Sequence, residues 1–393
     1  MAHMTRRTFV QGALVAGLGG GAGRPLLGCG STEAKAAGLR KCISMGSINH
    51  GGDPQDLTAY DNLARVRETG ARWVRIWIRW DKAQPLPATQ LPTSALGDPA
   101  NDLPECGPGC GVRYLQAVDA QVDGARAAGL NVILATWQFP RWANGTEGLP
   151  AEAGGKGMEY RVPIGQLGPE GHYGRWIDWL IGRYAHHGRR LVLEIMNEPN
   201  HQLWPQEGIA AQVAEMMATA AAVSAARGHP VMLAGPGASD RRGSDNRLMT
   251  SYGTFAPQVL DRLDELGFPR TPSFVWSHHN YSDVERDETL GCEQVRTALA
   301  GRWRGRGGPA DPRIWLTEGG ARLGSGEATD LARQAELVRR SWRRMSRLRG
   351  VELWTNYLLH TDPHADSGLR ESRESGDAPR PVWDVFRDFP GVA

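Results

Sequence analysis

Eight short β-branched or aromatic runs alternate with amphipathic stretches, glycines repeatedly close those stretches, and long insertions follow strands only. Together these predict an α/β chain folded as a (β/α)8 barrel of the TIM class, a single domain with long βα loops. Its 393 residues, 40% hydrophobic and 22% charged, can bury one large core, and no compositional extreme points to disorder or to a fibre.

The first 28 residues stand outside that pattern. Thr5-Arg6-Arg7-Thr8-Phe9-Val10-Gln11 precedes a Gly/Ala-rich stretch and reads as a twin-arginine export signal. Leu26-Leu27-Gly28-Cys29 then reads as a lipobox, with Cys29 acylated after cleavage; plain secretion is the alternative, because Arg24 is atypical inside such a leader. Residues 29–40 are expected to be a linker and residues 41–393 the barrel. The expected strands are 42–48, 73–80, 131–137, 190–197, 231–236, 274–281, 313–318 and 351–357. Between them, Leu57, Tyr60, Leu63 and Val66 share one helical face, as do Tyr173, Trp176, Ile177, Leu180, Ile181 and Tyr184. Gly70, Gly129, Gly188, Gly228, Gly267 and Gly350 sit just ahead of the next strand, where a left-handed residue closes a helix. The insertions 81–112, 138–171 and 358–380 all follow strands, which places length variation, and a substrate cleft, on one face.

The formal charge of +2 includes three leader arginines unopposed by any acid, so the processed chain carries −1. That near-neutral balance gives no electrostatic reason to expect nucleic acid. No other stretch approaches the roughly 18 apolar residues of a membrane span, so contact with a membrane is expected only through a lipid on Cys29, and the protein is expected to be a monomer without a cofactor. In an oxidising compartment, Cys106-Gly107-Pro108-Gly109-Cys110 is the favoured disulfide pair among Cys42, Cys106, Cys110 and Cys292; a zinc site would need a second ligand pair.

Glu198 closes the run from Leu191 just before Pro199, and Glu318 closes the run from Ile314 just before Gly319 and Gly320. Two carboxylic acids at the ends of two buried strands are what cleavage of a glycosidic bond requires, one as acid and then base, the other as nucleophile. By strand alternation Glu198 shares parity with Met196 and Glu194, and Glu318 with Leu316 and Ile314, so both are expected to point inward at the barrel mouth, about 5 to 5.5 Å apart.

On these residues the chain resembles the retaining (β/α)8 glycoside hydrolases of the clan that carries its acid/base on strand 4 and its nucleophile on strand 7. The anchors are Asn197-Glu198-Pro199 and Thr317-Glu318-Gly319, supported by Arg75-Ile76 and Trp80 on strand 2, Ser277, His279 and Tyr281 on strand 6, and Trp354 on strand 8. The resemblance covers nearly the whole processed chain. It implies double displacement at a β-linked glycosidic bond of an oligosaccharide, polysaccharide or glycoside, with Glu198 as proton donor and then base and Glu318 forming the glycosyl ester. It implies further that Arg75 and Tyr281 donate to Glu318 and that Asn197 binds the sugar 2-hydroxyl. Such chemistry needs a raised pKa at Glu198, from burial and from the charge of Glu318, and an ionised Glu318 surrounded by donors. Arg75 has an alternative partner in Glu194, and His278 and His279 can be ordinary polar lining; only His279 fits the family spacing. Trp142, Trp204 and Trp354 are the expected sugar platforms, whereas Trp73, Trp77 and Trp315 are expected in the core or against helices. Strand 3 runs into Trp137-Gln138-Phe139-Pro140, where the cellulase-like pattern often has a histidine. By contrast, Pro140-Arg141-Trp142, Asn200 and the strand 6 motif look more like the xylosidase and iduronidase family, and both relatives stay open.

Two other functions compete. A metal-dependent hydrolase on the same barrel would want a His-x-His pair at strand 1, where the chain has only His50. A carbohydrate-binding lipoprotein without catalysis would need neither glutamate, and both are present.

Overall fold

A computed structural model of the chain describes residues 38–45, 57–58, 61–85, 87, 110–150, 157–201, 206–228, 232–243, 245–268, 274–303, 312–362 and 365–392. Eight strands, β1 (Arg40–Ser44), β2 (Trp73–Arg79), β3 (Asn131–Trp137), β4 (Leu191–Glu194), β5 (Met232–Ser239), β6 (Phe274–His279), β7 (Ile314–Glu318) and β8 (Val351–Tyr357), pair parallel in chain order. β8 returns to β1, with Cys42 opposite Thr355, and closes the barrel. The helices are α1 (Asn62–Glu68), α2 (Trp80–Ala83), α3 (Cys110–Ala127), α4 (His172–Tyr184), α5 (Ile209–Ala226), α6 (Tyr252–Glu265), α7 (Tyr281–Glu285), α8 (Leu290–Trp303), α9 (Leu331–Met345) and α10 (Pro381–Asp388). This is the (β/α)8 barrel expected from the alternation of strands and helices.

One apolar side chain from every strand fills a layer of the barrel interior: Cys42, Trp73, Ile133, Val192, Ala234, Val275, Trp315 and Leu353. Trp73 and Trp315 meet edge to face within it, ring centroids 4.9 Å apart. The intervening residues of each strand, such as Ile76, Leu134, Leu193 and Leu316, face the helices and join the larger outer cluster. Side chains two residues further up from the interior layer must therefore line the next level, and it is there that the polar residues begin.

All six glycines expected as helix stops adopt positive φ, from 58° at Gly188 to 89° at Gly350. α5 is long and apolar enough to cross a membrane by length and composition, which amends the expectation that no such stretch follows the leader; 56% of it is buried, as suits a core helix of the barrel. Lys41 is buried and donates from Nζ to Thr69 O and Arg387 O, each at 2.8 Å, and burial lowers its pKa to about 8. Val392 N donates to Leu39 O, so the last described residues pair with the chain just ahead of β1. Cys42 and Cys292 are both free and buried. The export leader, Cys29, Cys106 and Trp204 lie outside the described residues, as does the side chain of Cys110, and with them the disulfide expected there.

Candidate active site

Arg75 stands one level above Trp73 on β2 and is fully buried, and its guanidinium forks to three partners. Nε donates to Glu194 Oε2 at 2.5 Å, Nη1 to Glu318 Oε1 at 2.5 Å and Nη2 to Asn197 Oδ1 at 2.7 Å. Both partners weighed for Arg75 from the sequence are therefore engaged at once. Thr317 Oγ1 donates to the other Glu194 oxygen at 2.7 Å, which leaves Glu194 fully committed below the rim. A planar, permanently charged fork suits this task better than a point charge would.

Glu198 enters the cleft by departing from the strand. β4 ends at Glu194, earlier than the expected residue 197, and Glu198 adopts left-handed backbone with φ 45° while its N donates to Gly237 O at 2.8 Å. Asn197 and Glu198, neighbours that strict alternation would send to opposite faces, consequently both line the cleft. Positive φ at a non-glycine residue is uncommon and collects at functional sites.

Glu318 departs from its expected parity for a related reason. Ile314 and Leu316 face the helices and Trp315 faces the interior, so regular alternation would turn Glu318 outward. A register shift in the β6–β7 pair, where His278 opposes Leu316 but His279 opposes Glu318, re-aims it into the barrel mouth.

The two glutamates converge on His279. Its Nδ1 lies 3.1 Å from Glu198 Oε1 and 3.5 Å from Glu318 Oε2, and the facing atoms of all three residues lie within 4.8 Å of one another. Tyr281 Oη donates to Glu318 Oε2 at 3.0 Å. His201 Nδ1 lies 3.3 Å from Glu198 Oε2. His278 points the other way, buried against Tyr252 with ring centroids 4.6 Å apart. Asn200 is structural: Nδ2 donates to Ser239 O and Thr250 O, and Oδ1 accepts from Ser239 N.

The protonation pattern reverses the one expected from the sequence. Burial pushes the Glu198 carboxyl up, but the hydrogen bonds from His201 and His279, and then their charge, more than offset it and hold Glu198 well below the usual carboxylate range. Glu318 is raised, first by burial and also by Glu198, against the pull of His279, Arg75 and Tyr281. His279 is itself raised: burial lowers it, and Glu318 and Glu198 outweigh that. The reversal arises because two imidazoles face Glu198, only one of them anticipated.

Glu198, His279 and Glu318 form a carboxylate–imidazole set that can in principle ligate a cation. The Arg75 guanidinium already occupies Glu318 Oε1 at 2.5 Å and Tyr281 occupies Oε2, so the donor set does not fit a divalent ion well.

A cleft of about 500 Å³ opens over these residues. One wall carries Trp77, Trp137 and Tyr357, from β2, β3 and β8. Trp77 was expected in the core, yet it shares the face of Trp73 and Arg75, and that parity was legible in the sequence. Tyr357 takes the strand 8 place expected of Trp354. Trp354 has the opposite parity and is buried between β8 and the helices, against Trp342 and Phe386, with no surface in the cleft. Trp142 also lies elsewhere: its Nε1 donates to Gln84 O at 3.0 Å and its ring packs on Trp80 and His172, under the β3 loop. The other wall carries Arg241, Arg242, Arg286 and Arg322, for which spacing gave no signal because they stand in loops and at a helix end.

The sequence matches the cellulase family, glycosyl hydrolase family 5, over residues 36–337. No curated protein matches it in sequence. Among solved structures, it is similar to a family 39 glycoside hydrolase from the gut symbiont Bacteroides cellulosilyticus WH2, with a TM-score of 0.56 and 14% identity over 89% of this chain and 63% of that one. It is similar also to a family 39 β-xylosidase from Caulobacter crescentus (TM-score 0.54, 15% identity, 90% of this chain and 71% of that one). A third is a broad-specificity family 5 endoglucanase from an uncultured bovine rumen ciliate (TM-score 0.54, 11% identity, 90% and 95%). These likenesses, all at low identity, speak for the barrel fold alone, and the chain spans just under two thirds of the first neighbour's length. The family match covers most of the chain and includes both glutamates, Arg75, Asn197, His279 and Tyr281: this protein belongs to the cellulase family, glycosyl hydrolase family 5.

Proposed function

We propose that the protein is a retaining glycosidase acting on a β-linked oligosaccharide, polysaccharide or glycoside by double displacement, with Glu318 as nucleophile and Glu198 as acid and then base. The observation that supports this best is the convergence of Glu198 and Glu318 with facing oxygens within 4.8 Å. That leaves no room for a water between carboxylate and sugar, as an inverting site needs, and suits the roughly 5 to 5.5 Å of a retaining pair.

In the first step Glu318 attacks the anomeric carbon, forming the glycosyl ester as the glycosidic C–O bond breaks, while a proton passes from Glu198 to the leaving oxygen. In the second, Glu198 takes a proton from water, whose oxygen attacks the same carbon and expels Glu318. Arg75 and Tyr281 hold the attacking carboxylate in one orientation. Asn197 accepts from Arg75 through Oδ1, so its amide nitrogen, unengaged among the described residues, can donate to the sugar 2-hydroxyl. Glu198 must carry a proton as the leaving oxygen departs, and His279, whose Nδ1 lies 3.1 Å from Glu198 Oε1, is placed to exchange one with it.

We further propose, from the leader sequence alone, that the protein is exported by the twin-arginine route and held by a lipid on Cys29, with plain secretion as the alternative. Membrane association of the wild type that Cys29→Ser abolishes would support the anchor; a soluble wild type would dismiss it. For the chemistry, proton NMR of the first-formed sugar should show the anomeric configuration of the substrate, and inversion would overturn the mechanism. Glu318→Ala should lower kcat at least 10⁴-fold, an order-of-magnitude expectation for loss of a covalent nucleophile. Glu198→Ala should lose most on substrates with poor leaving groups and regain activity with azide.

A further inference from the structure

The two walls of the cleft differ in chemistry. The β2, β3 and β8 side offers the flat rings of Trp77, Trp137 and Tyr357, while the β5 to β7 side offers four arginines. Two of these are neutralised within the protein. Arg242 donates to Glu288 Oε1 at 2.6 Å and Asp283 Oδ1 at 3.1 Å, and Arg322 grips Glu285 with Nε at 2.6 Å and Nη2 at 3.0 Å while lying over the Tyr281 ring. Arg241, just past β5, and Arg286, just past α7, are exposed and have no ion pair among the described residues.

The acids of the cleft do not balance them. Glu318 is met by Arg75, Glu198 by His279 and His201, and Glu285 by Arg322. Asp240 is buried, accepts from Ser282 N and Asp283 N, and is pushed up to about 7 by burial and by Asp283, so it is only partly ionised at neutral pH and pairs with neither Arg241 nor Arg286 among the described residues. The wall thus keeps two uncommitted guanidiniums, groups whose planar fork matches a carboxylate or a sulfate.

We propose that Arg241 and Arg286 form an anion-binding subsite and that the substrate is an acidic glycan, carrying a uronate carboxylate or a sulfate ester on a sugar bound in the same cleft. The inference rests on the glycosidase reading for its substrate class, but binding tests it independently of turnover. Two matched pairs of oligosaccharides separate the sources of charge: glucuronoxylan fragments against their carboxyl-reduced forms, and chondroitin sulfate fragments against their desulfated forms. Calorimetric titration of the full-length Glu198→Gln protein should show the charged member of one pair binding at least ten-fold more tightly. That ratio should fall toward one in the Arg241→Gln/Arg286→Gln variant of the same protein, and it should shrink with added salt, since exposed charges are screened. If Glu198→Gln does not fold, the same ratios are read from KM of the wild type and of the double arginine variant. Equal binding of charged and neutral members in both pairs, or a preference that survives loss of both arginines, overturns the proposal. A clear preference in binding with no hydrolysis by the wild type would instead refute the glycosidase reading and leave the anion subsite standing.

Discussion

Arg75 concentrates more of the site's electrostatics than any other single side chain. Itself closed off from solvent, it neutralises Glu194 below the rim and Glu318 at the floor of the cleft, and it also fixes Asn197. Removing one partner of such a network leaves the others charged and unsatisfied, a loss of about 3 to 5 kcal/mol. Arg75→Ala should accordingly lower Tm markedly as well as abolish turnover, and near-native stability would show that water replaces the guanidinium. His279 allows a test by pH. Its folded-state pKa is raised above the ordinary value of 6.5, so the stability it contributes is fully present below about pH 6.5 and is lost as pH rises through the higher folded value. The Tm difference between wild type and His279→Gln should therefore be larger at about pH 5.5 than at about pH 9, and a gap that widens with pH would contradict the direction of the shift.

Two irregular elements, rather than two regular strands, deliver the glutamates. The β6–β7 register shift turns Glu318 inward, and the left-handed backbone at Glu198 brings it and Asn197 to one surface. Regular alternation governs the aromatic residues, and it separates two tryptophans of opposite roles. Trp354, wedged between β8, Trp342 and Phe386, should cost about 3 to 5 kcal/mol when replaced by alanine, with kcat per folded molecule retained. Trp137→Ala should do the reverse, raising KM for oligosaccharides several-fold with a smaller change in Tm, because that half-buried ring faces the cleft. Matched losses of stability in both variants would mean that parity does not separate binding from packing here.

At the scale of the molecule, closure of eight parallel strands lets residues from β2, β4, β6 and β7 meet over one interior layer. The barrel begins with Leu39 and β1 and ends where Val392 returns to pair beside them, so a chain starting at Ala36 should retain the Tm and kcat of the full-length protein. Lower stability on removing residues 1–35 would show that the leader or the start of the linker contributes to the fold. Much of this organisation is legible in the linear order of residues. Arg75, Asn197, His279 and Tyr281 are picked out by the family resemblance, whereas β3 and β8 begin and end where their apolar runs do, all six glycines expected as helix stops take positive φ, and Glu198 and Glu318 close apolar runs. Those features are local, set by side-chain period, backbone sterics and chain order. The exchange of Trp354 for Tyr357 follows regular alternation from Leu353 along β8, but the aim of Glu318, the second imidazole on Glu198 and the basic wall opposite the aromatic one are not local. Each depends on a bulge, a left-handed residue or a loop conformation settled by packing between segments remote in sequence, so no periodicity along the chain encodes it.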